Sequence, residues 1–172
     1  VRGENPVTML AVALFTLSVL MAIFGPALVP YDPLASNSAV ALQPPSAPHC
    51  LGTDPPGRDI FSRTIVATRL DMGIAVAAVS LSFVLGIALG LAAGYFGGWW
   101  DTGVMRLADT IMAFPLFVLA MGIVAALGNT VENIIYATAI INLPFYARMA
   151  RAEVNVRRNA GFVQAARLSG NG

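Results

Sequence analysis

MGIAVAAVSLSFVLGIALGLAAGYF, residues 72–96, is the stretch whose reading decides the fold. Its 25 residues carry no charge. A helix needs about 20 such residues to cross roughly 30 Å of hydrocarbon. Within the run, Gly86, Gly90 and Gly94 recur every four residues and so share one helix face. That spacing lets two backbones approach closely, which is how helices pack in lipid, where no hydrophobic force joins them. We assign these glycines to helix packing rather than to a path through the protein.

Composition agrees with a lipid solvent. The chain has 172 residues, 57% of them hydrophobic and only 11% charged, with mean hydropathy +0.73. A soluble domain carries about 25% charged residues, so polar side chains are too few here to coat a globule. A net charge of +1 argues against a nucleic-acid binder, which needs a broad basic face. All the basic residues are arginine, and the single cysteine, Cys50, excludes an intrachain disulfide framework.

Outward from residues 72–96, the expected organisation is an all-α, polytopic membrane protein. Residues 1–6 form an inner N-terminus and residues 7–29 a first span, too long for a signal-peptide core. Residues 30–71 form an outer loop. Pro30, Pro33, Pro44, Pro45, Pro48, Pro55 and Pro56 exclude a long helix there. At its end, Ile60, Phe61, Ile65, Val66 and Leu70 recur at helical spacing beside an Asp59/Arg63 pair, which predicts a short amphipathic helix over 58–70. Gly97 to Asp101 closes the second span with turn glycines and the interfacial Trp99 and Trp100. A third span follows over 110–127, broken by Pro115, and a weaker fourth over 131–147, which contains Asn133, Asn142 and Pro144, is at the short limit for a span and could extend into the arginines that follow. With the N-terminus inside, Arg2, Arg106, Arg148, Arg151, Arg157, Arg158 and Arg167 fall on the inner side, against Arg58, Arg63 and Arg69 outside. The excess follows the positive-inside rule.

The chain carries no apparatus for catalysis. A phosphate-binding G-x-x-x-x-G-K-[ST] loop is impossible without lysine, and the only histidine, His49, lies in the outer loop without a nucleophile. His49 and Cys50 supply two potential metal ligands where stable sites use three or four, so no metal site is assigned. Asn133 and Asn142 are candidates to line a translocation path, but hydrogen bonding to a neighbouring helix or to backbone freed by Pro144 explains them equally well. Asp54, Arg58 and Asp59 are read as loop structure, with Asp59 as a helix cap. The Pro115 kink is read as a static bend. The inner segment 153–172 is the one candidate site. A short helix there would place Phe162 as an anchor near small Ala165 and Ala166, able to seat in a groove of a partner. A solvated basic loop is the plainer alternative.

Ordered matches favour docking. The chain from His49 onward resembles the C-type permease subunit of dipeptide, oligopeptide and nickel ABC importers. The segments that carry the likeness are His49 to Asp54, Gly57 to Asp59, Ala93 to Trp99, Met105 to Asp109, Ala113 to Pro115, Tyr146 to Arg148 and Gln164 to Gly170. Residues 1–48 match only in kind. The family's EAA loop has Glu where this chain has Gln164, while Ala165, Ala166 and Gly170 match; Cys50 stands where Pro is frequent.

The resemblance implies a type I ABC importer permease of six spans, of which four are expected here, the chain stopping within the EAA loop. It implies that Phe162, Gln164, Ala165, Ala166, Arg167 and Gly170 form the ATPase-coupling interface. The implied partners are a second, homologous permease, two ATP-binding cassette ATPases and a periplasmic or lipid-anchored binding protein, within the lipid of a bacterial inner membrane. No cofactor is expected on this chain, ATP and magnesium being held by the ATPases. The rival expectation is a secondary carrier or channel without an ATPase. Such carriers bury ionisable residues in their spans, and the centres of these four have none.

Overall fold

The computed structural model describes residues 5–158 and 160–170. Residues 1–4 of the expected inner N-terminus, Arg2 among them, lie outside those residues, as do Asn159, Asn171, Gly172 and the side chain of Arg167. The named elements of the described residues are all helical, with a long irregular loop between the first two long helices. Its elements are α1 (Pro6–Leu28), a 3-10 turn (Ser38–Val40), α2 (Ile60–Phe96), α3 (Gly98–Ala113), α4 (Leu116–Leu127), α5 (Val131–Arg157) and α6 (Gly161–Leu168). The chain divides into two compact units, residues 1–73 and 74–172, the division falling within α2.

In the first unit, α1 starts where Asn5 accepts a hydrogen bond from the Val7 N–H (3.1 Å) and Pro6 takes the first turn, where its missing donor costs nothing. Gly25 lets α1 close on α2, since a Cβ there would stand 2.5 Å from Ile65 Cγ2. The proline-rich loop is ordered by its own backbone. Asn37 N–H donates to Pro56 O (3.1 Å), Thr53 N–H to Gln43 O (3.0 Å), and Gln43 N–H to Thr53 Oγ1 (2.9 Å). Gly57 is obligatory, because its φ is +78° and a side chain would run into the Asn37 carbonyl.

Asp59 caps α2. Its Oδ2 accepts from the N–H and the hydroxyl of Ser62, both at 2.7 Å. Its Oδ1 lies 3.0 Å from His49 Nδ1, and the His49 ring packs on Tyr31 at 4.8 Å. The expected Asp59–Arg63 pair is therefore corrected. Arg63 lies 3.5 Å from Asp54, which also takes Arg58 Nε at 2.9 Å, because capping leaves Asp59 no free oxygen facing along the helix.

The amphipathic helix expected over 58–70 and the span over 72–96 are one helix of 37 residues, about 55 Å at 1.5 Å per residue. Nothing between Leu70 and Met72 breaks the hydrogen-bond ladder, and Gly73 costs only about 1 kcal/mol within a helix. Gly97 and Gly98, at φ +64° and +55°, turn the chain. Trp99, Trp100 and Asp101 fall in the first turn of α3 rather than in the preceding turn.

In the second unit the expected third span is two helices that meet at 97°. Phe114 is extended (φ −85°, ψ 142°) because the ring of Pro115 disfavours the helical region for the residue before it. By length and apolarity α1 and α2 can each cross a membrane, and α3 with α4 can do so as one bent span. The expected fourth span is the first part of α5, a 27-residue helix running on through the arginines. The described residues thus hold two membrane-length apolar helices, or three with the bent pair, where four spans were expected. Asn133, Asn142, Pro144 and Arg148 dilute the apolar content of α5.

The three glycines of α2 face α5. A Cβ on Gly86 would stand 2.8 Å from Leu143 O, one on Gly90 would overlap the backbone of Ala147, and one on Gly94 would stand 2.7 Å from Val154 Cβ. Ala147, opposite Gly90, is fully buried (0% exposed). Phe83 meets Tyr146 edge to face at 5.6 Å beside this seam.

Candidate functional site

The candidate site is α6, which follows α5 after three residues. Its first turn is closed by Ala160 O, which accepts from the N–H groups of Val163 (3.0 Å) and Gln164 (3.2 Å). Its last is closed by Ser169 N–H on Ala165 O (3.0 Å). Gly170 then leaves the helix at φ +86°, with open space where a side chain would sit. It acts as a C-terminal stop, a position that needs glycine for its backbone and not for a close approach. At helical spacing Phe162, Ala165, Ala166 and Ser169 share one face. Phe162 is 70% exposed and Leu168 90% exposed; Gln164, Ala165 and Ala166 are exposed as well. Arg167 belongs to α6 by its backbone. The arrangement is a short helix with a bulky apolar side chain over small neighbours, presented outward.

What holds the preceding helix, α5, in place was not legible from the motif. α5 is tied to α3 by arginines. Arg151 grips Asp101 with both arms of its fork, Nε on Oδ1 and Nη2 on Oδ2, the latter at 2.6 Å. Arg148 Nη2 donates to Asp109 Oδ1 at 2.5 Å, and Arg158 Nη1 to the carbonyl of Gly94 at 2.9 Å. The sequence counted these arginines only as inner-side positive charge. The overlooked signal was spacing: 148, 151 and 158 lie near one face of a helix, and two acids stand eight residues apart on α3.

The two asparagines divide differently. Asn133 Nδ2 donates to the Leu127 carbonyl (2.8 Å) and the Gly128 carbonyl (3.0 Å), closing the C-terminal end of α4 against the start of α5. Asn142 Nδ2 donates to Thr138 O within its own helix (2.8 Å). Pro144 instead deprives the Ile140 carbonyl of its helical donor. The sites do not come together: Asn133 lies at the end of α5 remote in sequence from α6, while Gly94 is joined through Arg158 to the end adjoining it.

Helices long and apolar enough to cross a membrane, with a short exposed helix after α5, define the class of helical membrane proteins, and sequence comparison narrows it. Residues 86–172 match the family model described as binding-protein-dependent transport system inner membrane component. Residues 4–45 match the N-terminal TM domain of oligopeptide transport permease C. The chain belongs to this family, as a C-type permease of the dipeptide, oligopeptide and nickel ABC transporter group. It is 38% identical over 97% of its length to a dipeptide transport system permease protein of Alkalihalophilus pseudofirmus, covering 55% of that protein. It is 42% identical over 95% of its length to the nickel transport system permease protein of Escherichia coli K12, covering 59% of it. A glutathione transport system permease protein of Pectobacterium atrosepticum is 36% identical over 93% of this chain, which covers 54% of that relative. The chain thus spans about half the length of the curated relatives it matches.

Proposed function

We propose that this chain is part of the transmembrane permease subunit of an ATP-driven importer for peptides or related small solutes, seated in a bacterial inner membrane. ATP and its magnesium are held by two partner ATPases, and a second, homologous permease completes the path. A binding protein delivers the solute, and this chain binds no cofactor of its own. The observation that carries the reading is α6: an exposed eight-residue helix, stopped by a positive-φ glycine, shortly after α5 in a permease-family chain. Phe162, Gln164, Ala165, Ala166, Arg167 and Gly170 form the surface on which the ATPase seats. Nucleotide changes the permease only through a difference in affinity between its two states, and this contact is where that difference enters. Asn133 and Asn142 remain candidates for the translocation path, with the backbone bonds above as their competing use.

A detergent pull-down of the full-length protein with mass spectrometry and an ATPase assay tests the reading. Recovery of an ATP-binding cassette ATPase, lost in Ala166→Arg while membrane insertion is normal, is the expected result. A full-length protein that purifies without an ATPase and still moves solute in proteoliposomes would make it a secondary carrier.

A further inference from the structure

Three helices meet at the second unit's bend, and their attachments are unequal. α4 is tied to the start of α5 through Asn133. α3 is tied to the far half of α5, beyond Pro144, through Asp101–Arg151 and Asp109–Arg148. Ala108 of α3 is buried, whereas α4 has no buried residue. The two ion pairs differ in weight. Arg148 and Asp109 are both largely exposed, and surface pairs of that kind contribute little. Asp101 and Arg151 are more sheltered and bidentate, which adds both strength and fixed geometry. Between the two attachments, α3 and α4 join only through Phe114 and Pro115, at 97°. Beneath that bend lies a space of about 200 Å³, lined by Phe114, Leu116, Ile141 and Phe145 among others. Phe114, Leu116 and Phe145 are each more than half exposed, so this space is an open groove that leaves room for α3 and α4 to move relative to each other.

We propose that the Asp101–Arg151 pair is the joint that makes α3 follow the inner half of α5, so that a displacement entering at α6 changes the bend at Phe114–Pro115. Asp101 and Arg151 are positioning residues, acting through the helices they join. This inference rests on the importer reading above and specifies how its coupling surface acts on the membrane helices.

The test uses the full-length protein assembled with its partners, in a Cys50→Ser background with Phe114→Cys as the reporter. The rate of maleimide labelling at position 114 is compared without nucleotide and with ATP plus vanadate. We expect nucleotide to change the rate by at least about fivefold, the low end of ordinary allosteric coupling. In Asp101→Asn or Arg151→Gln the change falls below about twofold while ATP hydrolysis continues, and the double variant loses no more than either single one, as expected of residues acting as a unit. A pair that only held the fold would depress assembly and hydrolysis together. Where Asp101→Asn does not accumulate, Arg151→Lys is read in its place, since it keeps the charge but removes the fork; the change is then expected to fall by half or more. An undiminished change in these variants, losses that multiply in the double variant, or no nucleotide effect in the unaltered chain would each overturn the joint. Absence of any ATPase from the assembly would instead overturn the importer reading.

Discussion

Single residues decide how closely this chain packs. Gly90 of α2 lies against the backbone of Ala147, and neither side can yield as a flexible side chain would. We expect Gly90→Val to lower the thermal midpoint in detergent by the equivalent of about 1–3 kcal/mol or more, the usual cost of overpacking. Gly73→Ala is the control: a Cβ there meets nothing within 4 Å, so the higher helix propensity of alanine should leave stability unchanged or raised by up to about 1 kcal/mol. In the outer loop two carboxyls are held below their ordinary range. Burial pushes Asp54 up, but the Arg58 hydrogen bonds and the charges of Arg58 and Arg63 outweigh it. Burial likewise opposes the lowering at Asp59, where the Ser62 hydroxyl and N–H and then His49 prevail. A carboxyl lowered in the folded state stabilises it fully above the unfolded value, near 4, and that contribution is lost as pH falls through the lowered one. Protease cleavage of the loop should therefore be steady from about pH 8 to 5 and rise below about pH 4. Asp59→Asn should cleave faster at neutral pH and show less of that rise.

At the scale of elements, the boundaries follow from where hydrogen-bond donors run out. α2 runs unbroken from the loop to Phe96 because no proline interrupts it, whereas Pro115 converts one apolar segment into two helices. The corner between α4 and α5 is closed by the Asn133 amide, which satisfies two carbonyls that the end of α4 leaves open. Asn133→Ala removes both bonds, and we expect a loss of about 1–3 kcal/mol, seen as faster hydrogen exchange at the start of α5. Unchanged exchange there would mean that Asn133 serves some other purpose than closing this corner. The apolar character of α4 and the glycine face of α2 were legible from periodicity alone. The length of α5 was legible only in part: the span over 131–147 could extend into the arginines that follow, and it does, to Arg157, with partners on α3 that only the structure gives.

For the whole molecule, we propose from the arginine distribution that the loop around Cys50 lies outside and α6 inside. Cys50 is the only cysteine and is exposed, so the chain carries its own topological reporter. In intact spheroplasts a membrane-impermeant maleimide should label Cys50. In a Cys50→Ser background, Ser169→Cys should be labelled only after the membrane is opened. The reverse pattern would invert the orientation and put α6 on the side away from ATP.

By itself the sequence determined the solvent, the helical class, the packing face of α2, the family and the short helix that follows α5. Each of these rests on composition, on a periodicity of a few residues, or on ordered local motifs, all readable along the chain. The tertiary structure alone decided that α3 and α4 meet at 97°, that Asp59 serves Ser62 and His49 rather than Arg63, and that Arg151 grips Asp101. For an ion pair joining residues 50 positions apart, the sequence shows at most the spacing of charges along each helix, because charge acts through space and the chain fixes which partners meet only after its helices have packed.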